Sequence, residues 1–413
     1  MSDSATAPRF AIPILFAVVF IDLVGFGILM PLIPFYVERL GAGPELITLI
    51  LAIHPLCQSL ATPIWGSLSD RFGRRPILLI SMAGHVGAYL ILGFADSLAL
   101  LMLSRLLSGT TSANISTAFA CVADVTPPEK RAAAMGKISA AFSLGFAAGP
   151  ALGGFLAGND IATANFQRPA MAAAAFAFIA FLAVLFFLPE TRPPVAKARP
   201  GDPTGPTLSA NFGQVARRPI ITLMLILCLI VMTFIAARET IFPLWAHYRV
   251  GLNPRELGLL ITYTAAVIAS IQLFGIGRLA NRFGELAMVK TSLVCFGIGW
   301  LLMVVAPSFS WIIVGMTIGA VGSALFQTCL QTMISQRAGP SERGLVLGVY
   351  QSAGSMSRFV GQAGSGTLYG QLGVNAPFWL GAIAMLPALY ICNRIGRGLK
   401  AARAAAAVAN EAA

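Results

Sequence analysis

Apolar runs long enough to cross a bilayer follow one another along almost the whole 413-residue chain, separated by short breaks rich in charge, proline or glycine. Twelve can be marked out, at residues 10–36, 46–68, 77–95, 98–123, 132–158, 169–188, 219–246, 256–279, 287–306, 309–336, 344–370 and 376–395. About 20 apolar residues in a helix cross the hydrocarbon core of a membrane. Backbone polar groups in lipid must be satisfied within the segment, and no strand-like alternation is visible, so each run predicts a helix. Residues 189–218 are the one long hydrophilic stretch; their proline and arginine content (PETRPPVAKARPGDPTGP) reads as a flexible linker dividing the spans six and six. The expected organisation is a first bundle over 1–188, a linker over 189–218, a second bundle over 219–400 and an Ala-rich tail, read as a frayed helix, over 401–413.

The breaks carry a repeat. GSLSDRFGRR, Gly66 to Arg75, returns as GRLANRFGE, Gly277 to Glu285, at an offset of 277 − 66 = 211 residues. PPEKRAAAMG, Pro127 to Gly136, parallels GPSERGLVLG, Gly339 to Gly348, with Arg131 and Arg343 offset by 212. Two homologous halves in parallel orientation follow, an arrangement found in transporters with repeats related along the membrane normal.

Composition agrees and excludes most alternatives. Hydrophobic residues make up 57% of the chain and charged ones 11%, against about 25% charged in soluble proteins; mean hydropathy is +0.80. A net charge of +12 would suit nucleic acid, but its distribution is a topology signal. With the N-terminus inside, only Arg39, Arg168, Arg249 and Arg255 fall on outer loops, while Arg105, Arg238 and Arg358 fall within spans. The 28 basic residues less these seven leave 21 at cytoplasmic ends and loops, as the positive-inside rule requires. The chain is expected in the inner (cytoplasmic) membrane, multi-pass, with both termini cytoplasmic. Its first span is too long, and too rich in Gly, Pro and Asp22, for a cleaved signal peptide. Six single cysteines read as small apolar fillers, His54, His85 and His247 are scattered, and no metal cluster is visible. No GxxxxGK[ST] loop argues for ATP as energy source, and no nucleophile–base constellation argues for an enzyme. No cofactor is expected.

Four motifs then fall in order on the expected spans: DLVGFGILMPLIP (Asp22 to Pro34) in span 1, GSLSDRFGRRP after span 2, RLLSG (Arg105 to Gly109) in span 4 and GFAAGPALGG (Gly145 to Gly154) in span 5. With these the N-terminal half resembles the major facilitator superfamily, its twelve-span drug:proton antiporter group, and within that the tetracycline-resistance exporters. The C-terminal half resembles the family in repeat and span pattern alone. The implied fold is all-α integral membrane, the major facilitator fold of twelve transmembrane helices in two pseudo-symmetric six-helix bundles. The chain departs from the tetracycline exporters where they carry an aspartate before a tyrosine in span 3; here Ala88 precedes Tyr89. It also lacks an acid between Ala287 and Ala306 in span 9, which removes carboxylates that a magnesium-chelated drug would use.

Physical chemistry singles out Asp22. A carboxylate at the centre of a membrane helix costs about 2.5–3.5 kcal/mol on translocon scales, so it becomes neutral or pairs with a cation. Arg105 is the expected partner, either as a protonation-driven switch or as a static pair pinning span 1 to span 4. The family implicates both residues in proton linkage. Between spans 2 and 3, Gly66 and Gly73 are expected to make tight turns, with Asp70, Arg71, Arg74 and Arg75 at the cytoplasmic surface. The resemblance implies that Asp70 docks the start of span 11 near Gly344 and that Arg74 reaches Asp124, a latch favouring the outward-facing state; a topology-setting basic loop is the plainer alternative. Asn281 replaces the aspartate in the second copy. Gly145, Gly149 and Gly153 form a smooth stripe, with Pro150 adding a kink and Gly154 alongside. The family places this stripe between the halves; ordinary helix packing fits equally. Glu239, beside Arg238 in span 7, either faces a cavity and takes a second proton or snorkels outward. His54, Gln58, Asn114, Arg238, Gln272, Gln327, Gln331 and Arg358 are candidate cavity residues, with interhelical hydrogen bonding the alternative for each.

The expected function is a proton-coupled antiporter exporting amphipathic drugs or other small molecules by alternating access, or else a metabolite transporter (sugar, amino compound or siderophore) of the same fold. The expected partners are that small molecule, protons and the lipid bilayer, with no nucleic acid and a monomeric state.

Overall fold

The computed structural model describes residues 11–127, 130–160, 163–191, 218–306, 308–337 and 343–411, with side chains of 131–133, 343–345 and 402–411 excepted. Most of the expected linker, and parts of the Pro127–Gly136 and Gly339–Gly348 repeats including the Arg131 and Arg343 side chains, lie outside the described residues.

Fifteen α-helices among the described residues build the twelve spans. Span 1 is α1 (Ala11–Leu29) with α2 (Ile33–Arg39); spans 2 and 3 are α3 (Pro44–Phe72) and α4 (Arg74–Gly93). Span 4 is α5 (Leu98–Thr110) with α6 (Asn114–Val125), and spans 5 and 6 are α7 (Arg131–Ala157) and α8 (Gln167–Phe187). Span 7 is α9 (Pro219–Val250), and span 8 runs from α10 (Pro254–Ser270) through one π-helical turn (Ile271–Gly275) into α11 (Ile276–Phe283). Spans 9 to 12 are α12 (Glu285–Val305), α13 (Phe309–Arg337), α14 (Arg343–Gln371) and α15 (Ala376–Glu411). Counting spans 1 and 8 as continuous, ten helices are apolar and long enough to cross a membrane; span 4, divided by its break, and span 11 complete the twelve. The Ala-rich tail continues α15 to Glu411.

Two breaks have plain causes. In span 1, Pro31 and Pro34 lack the N–H that would continue the ladder, and α2 restarts with Pro34 in its first turn. In span 4 the helix stops at Thr110 and restarts at Asn114. The backbone freed there is taken up partly within the break, the Ala113 N–H donating to the Thr111 carbonyl at 2.8 Å, and partly by one side chain from α4: Ser81 Oγ donates to the same carbonyl at 2.6 Å and accepts the Ala113 N–H at 3.2 Å. A polar group left open in an apolar bundle is costly, so one serine makes a mid-membrane break tolerable.

The chain forms two compact units, Met1–Pro200 with Thr240–Ala266, and Gly201–Glu239 with Val267–Ala413. Within the first, α1 lies against α7 through glycines: a methyl on Gly149 would stand 2.6 Å from the Gly27 backbone, and one on Gly145 2.5 Å from the Phe20 carbonyl. Around them Leu15, Val18, Val19, Leu78, Met82, Val122, Ile138 and Val184 form a fully buried apolar cluster. In the second, α12 meets α13 where Gly299 and Gly315 face each other's backbone. Large apolar side chains such as Phe186, Phe187, Phe274 and Leu386 are two-thirds or more exposed, as lipid-facing positions are.

Ser81→Ala removes one hydrogen bond from each of the Thr111 carbonyl and the Ala113 N–H, which then keep only each other, at 2.8 Å. The expected cost is about 1–3 kcal/mol, read as a lower thermal unfolding midpoint of detergent-solubilised protein; an unshifted midpoint would show that the break does not need this serine.

Candidate functional site

Span 3 carries the polar side of the first unit. Ser81, His85 and Tyr89 recur every fourth residue, so they share one face of α4, and all are buried. That face looks toward spans 1 and 4. Asp22, midway along α1 and 2% exposed, is held by two neighbours: His85 Nδ1 stands 2.9 Å from Oδ1, and the Asn114 amide donates to Oδ2. Asn114 opens α6, so the break in span 4 is what brings this amide to the acid.

The expected Asp22–Arg105 ion pair is not formed. Arg105 lies on α5, nine residues before Asn114, and with span 4 broken its second half supplies the acid's partner. The guanidinium is nonetheless buried, 4% exposed, with Nε and Nη2 lacking a hydrogen-bond partner among the described residues. Tyr89 sits within electrostatic reach of both Asp22 and Arg105, and its ring centroid is 5.9 Å from that of His85. Acid, imidazole, phenol and guanidinium thus form one contiguous buried group. Among them His85 was unforeseen, read only as a scattered histidine; the signal available was the four-residue polar stripe on an otherwise apolar span.

At one end of the same unit, spans 2 and 3 meet in a junction tighter than the expected loop. Gly66 does not turn the chain: it lies inside α3, its carbonyl accepting from Ser69 Oγ at 2.9 Å, because the helix runs on through the polar residues to Phe72. Gly73 alone makes the turn, at φ +99°. Arg74 is 5% exposed and ties three elements: Nε lies 2.8 Å from Asp124 on α6, Nη2 2.8 Å from Asp70, and Nη1 donates to Ser69 at 2.6 Å. The Asp70 partner expected near Gly344 falls where side chains lie outside the described residues. Arg71 is exposed and lies over the Phe72 ring at 5.2 Å. Glu190, just past span 6, was also unforeseen; its carboxylate accepts the Arg74 N–H at 2.7 Å and the Arg75 N–H at 3.1 Å, capping α4 where unpaired donors favour an anion. Arg75 donates back to the Leu185 carbonyl at 2.5 Å. The second copy keeps the turn: Gly284, at φ +81° and 284 − 73 = 211 residues on, joins α11 to α12.

The span-5 stripe is placed as follows. Gly145, Gly149 and Gly153 face span 1, at Phe20, Gly27 and Ile28, while Gly154 meets Pro254 and Pro150 meets Gly258 on span 8. The Ala151 N–H, one residue after Pro150, donates to Thr262 Oγ1 at 3.0 Å.

The remaining candidates divide. His54 and Gln58 bind Ser108 and Ser112 of span 4, each at 3.0 Å, so they join helices. In the second unit Glu239 is 47% accessible, 3.5 Å from Arg238 and within electrostatic reach of Arg358, which donates to Ser355 at 3.1 Å. Arg358, Gln327 and Gln331 are exposed and Gln272 half-buried on the π turn. Exposed charge at mid-span is expensive against lipid.

Twelve spans in two bundles, with ionisable groups sequestered at mid-membrane, define a multi-pass membrane transporter of small molecules. A sequence profile of the Major Facilitator Superfamily matches residues 15–253 and 227–402, and the chain belongs to that superfamily. Multidrug resistance protein 2 of Bacillus subtilis (strain 168) is 27% identical, over 94% of this chain and 96% of its own. The class G tetracycline resistance protein of Vibrio anguillarum is 30% identical, over 91% and 95%. Among solved structures, the human organic anion transporter MFSD10 superposes with a TM-score of 0.70 at 24% identity, over 93% of this chain and 99% of its own, a likeness of fold. The protein is not an enzyme.

Gly73→Ala forces a side chain into an extended, positive-φ conformation that is essentially glycine's alone and costs about 1–3 kcal/mol, with its methyl 2.5 Å from a Glu190 carboxylate oxygen. Lower yield of folded protein and a lower unfolding midpoint are expected; wild-type values would show that the junction relaxes freely.

Proposed function

We propose that this chain is a proton-coupled exporter of amphipathic drugs or similar small molecules, working by alternating access as a monomer in the cytoplasmic membrane with both termini inside. The observation that carries it is Asp22, a carboxylate almost sealed within a bundle of apolar helices and held by a neutral amide and an imidazole. A static structural role is poorly served by such a group, because an apolar residue there would cost nothing to bury. A group that gains and loses a proton as the bundle opens to either side is well served. Full-length similarity to multidrug and tetracycline resistance proteins supports the export of drugs.

In this reading a proton from outside neutralises Asp22 while cargo leaves, and its release inside resets the carrier. The membrane potential contributes about 2.3 kcal/mol per charge per 100 mV. Glu239, flanked by Arg238 and Arg358, is a candidate second acid, and the accessible Gln327, Gln331 and Arg358 are candidate cargo contacts. The 189–218 segment links the two six-span halves, and the Gly73 junction with Arg74–Asp124 acts as a cytoplasmic gate. The span-5 glycines let span 1 ride closely on span 5 during the exchange.

Asp22→Asn keeps the side chain's size and removes its proton. In vesicles screened with a panel of dyes and antibiotics, it is expected to abolish uphill, uncoupler-sensitive efflux while leaving insertion and downhill cargo exchange intact. Undiminished uphill efflux would remove Asp22 from the mechanism.

A further inference from the structure

Inside the first unit five polar side chains, each no more than 4% exposed, follow one another through space: Asn114, Asp22, His85, Tyr89 and Arg105. We propose that His85 is a second proton-handling residue of the transport cycle, so that the transported proton is held by the Asp22–His85 couple as a unit and not by Asp22 alone. This rests on the proton-coupled reading above and names the group that shares the proton.

The geometry carries the inference. Asp22 Oδ1 and His85 Nδ1 are 2.9 Å apart, and an imidazole nitrogen either donates or accepts. A proton bound by the couple therefore sits on the ring, with N–H donating to Oδ1, or on the carboxyl, with O–H donating to Nδ1. Neither choice moves a heavy atom or alters the net charge. Asn114 donates to the other oxygen, so Oδ1 is the oxygen left to share the proton with the ring. His85 Nε2 has no hydrogen-bond partner among the described residues, so the ring has a second face at which a proton enters or leaves. An imidazole that gains a proton at one nitrogen and gives one up at the other passes it between that face and Asp22.

Arg105 sets the capacity. Without a proton, carboxylate, neutral ring and guanidinium sum to zero; one proton makes the group +1, and a second would put two positive charges in an apolar interior with no counterion. The couple thus carries one proton per cycle. Other titratable or charged groups on the surrounding elements do not compete at this depth. Tyr89 lies one turn along α4, and His54 of α3 is engaged with Ser108 and the Phe26 ring. Asp124 of α6 is bound to Arg74, and Cys121 lies one turn before it. Arg131 and Lys137 fall in the first two turns of α7 and Arg168 in the first of α8.

His85→Asn tests this, since its amide N–H can replace the Nδ1 contact to Asp22 without titrating. In liposomes holding the purified protein, cargo counterflow is expected to persist, while uphill transport and cargo-dependent proton movement fall to the level of Asp22→Asn. Uphill transport retained with the wild-type pH profile would reduce His85 to a spacer and overturn the proposal, with the proton-coupled reading intact. No cargo-dependent proton movement in the wild type would instead defeat that reading, and this inference with it. Should the variant fail to insert, the wild type decides. The chain has three histidines, so nitrogen NMR of ring-labelled protein can follow the protonation and tautomer of His85. A ring whose protonation state differs between the wild type and Asp22→Asn is expected; a ring that is the same in both overturns the proposal.

Discussion

One constraint organises this molecule: a carboxylate inside an apolar helical bundle must be given partners, and here the partners come from two other spans. Asp22 draws His85 from span 3 and Asn114 from span 4. To deliver Asn114, span 4 has to break, and Ser81 adds a side-chain partner to the backbone pair, Ala113 N–H and Thr111 carbonyl, that the break leaves. Ser81 and His85 are one turn apart on α4, so a single helix face supports both the acid and the interruption that serves it. Loss of any member leaves a polar group stranded where water does not compete, and such networks are strong when complete and costly when not.

The two ends of span 3 divide the labour. Its middle holds the buried polar group around Asp22, whereas its first turn is locked by Glu190, Arg74 and Asp124. Gly73, at the start, is the pivot on which the lock depends, since any side chain there would meet the Glu190 carboxylate. Span 1 is held on its opposite side by the glycines of span 5, whose close approach supplies van der Waals contact but no charge. Asp22 therefore lies on a helix that is polar toward spans 3 and 4 and smooth toward span 5.

How much of this was legible in the sequence follows from the range of each interaction. Spans were legible because hydropathy is local, and the repeat because Gly73 and Gly284 serve the same turn in two halves. Asp22 stood out because a carboxylate in an apolar run is anomalous by itself. Its partner was not legible: choosing Arg105 on opposite charge assumed a continuous span 4, and no proline or glycine at 111–113 announces the interruption. Gly66 was misjudged for the converse reason, since a glycine in a polar stretch suggests a turn but also sits quietly in a helix. Glu190 escaped notice because it belongs to the linker by composition and to α4 by contact. The polar stripe Ser81–His85–Tyr89 was in plain view, and helical spacing alone would have marked it.

The central claim is that neutralising a sealed acid is tied, step for step, to moving cargo. It is tested most directly by a null-point measurement on purified protein in liposomes: a fixed cargo gradient is opposed by a graded pH gradient until net cargo flux stops. A null point that moves with the pH gradient is the expected result. A null point fixed by the cargo gradient alone, whatever the pH difference, would contradict the account.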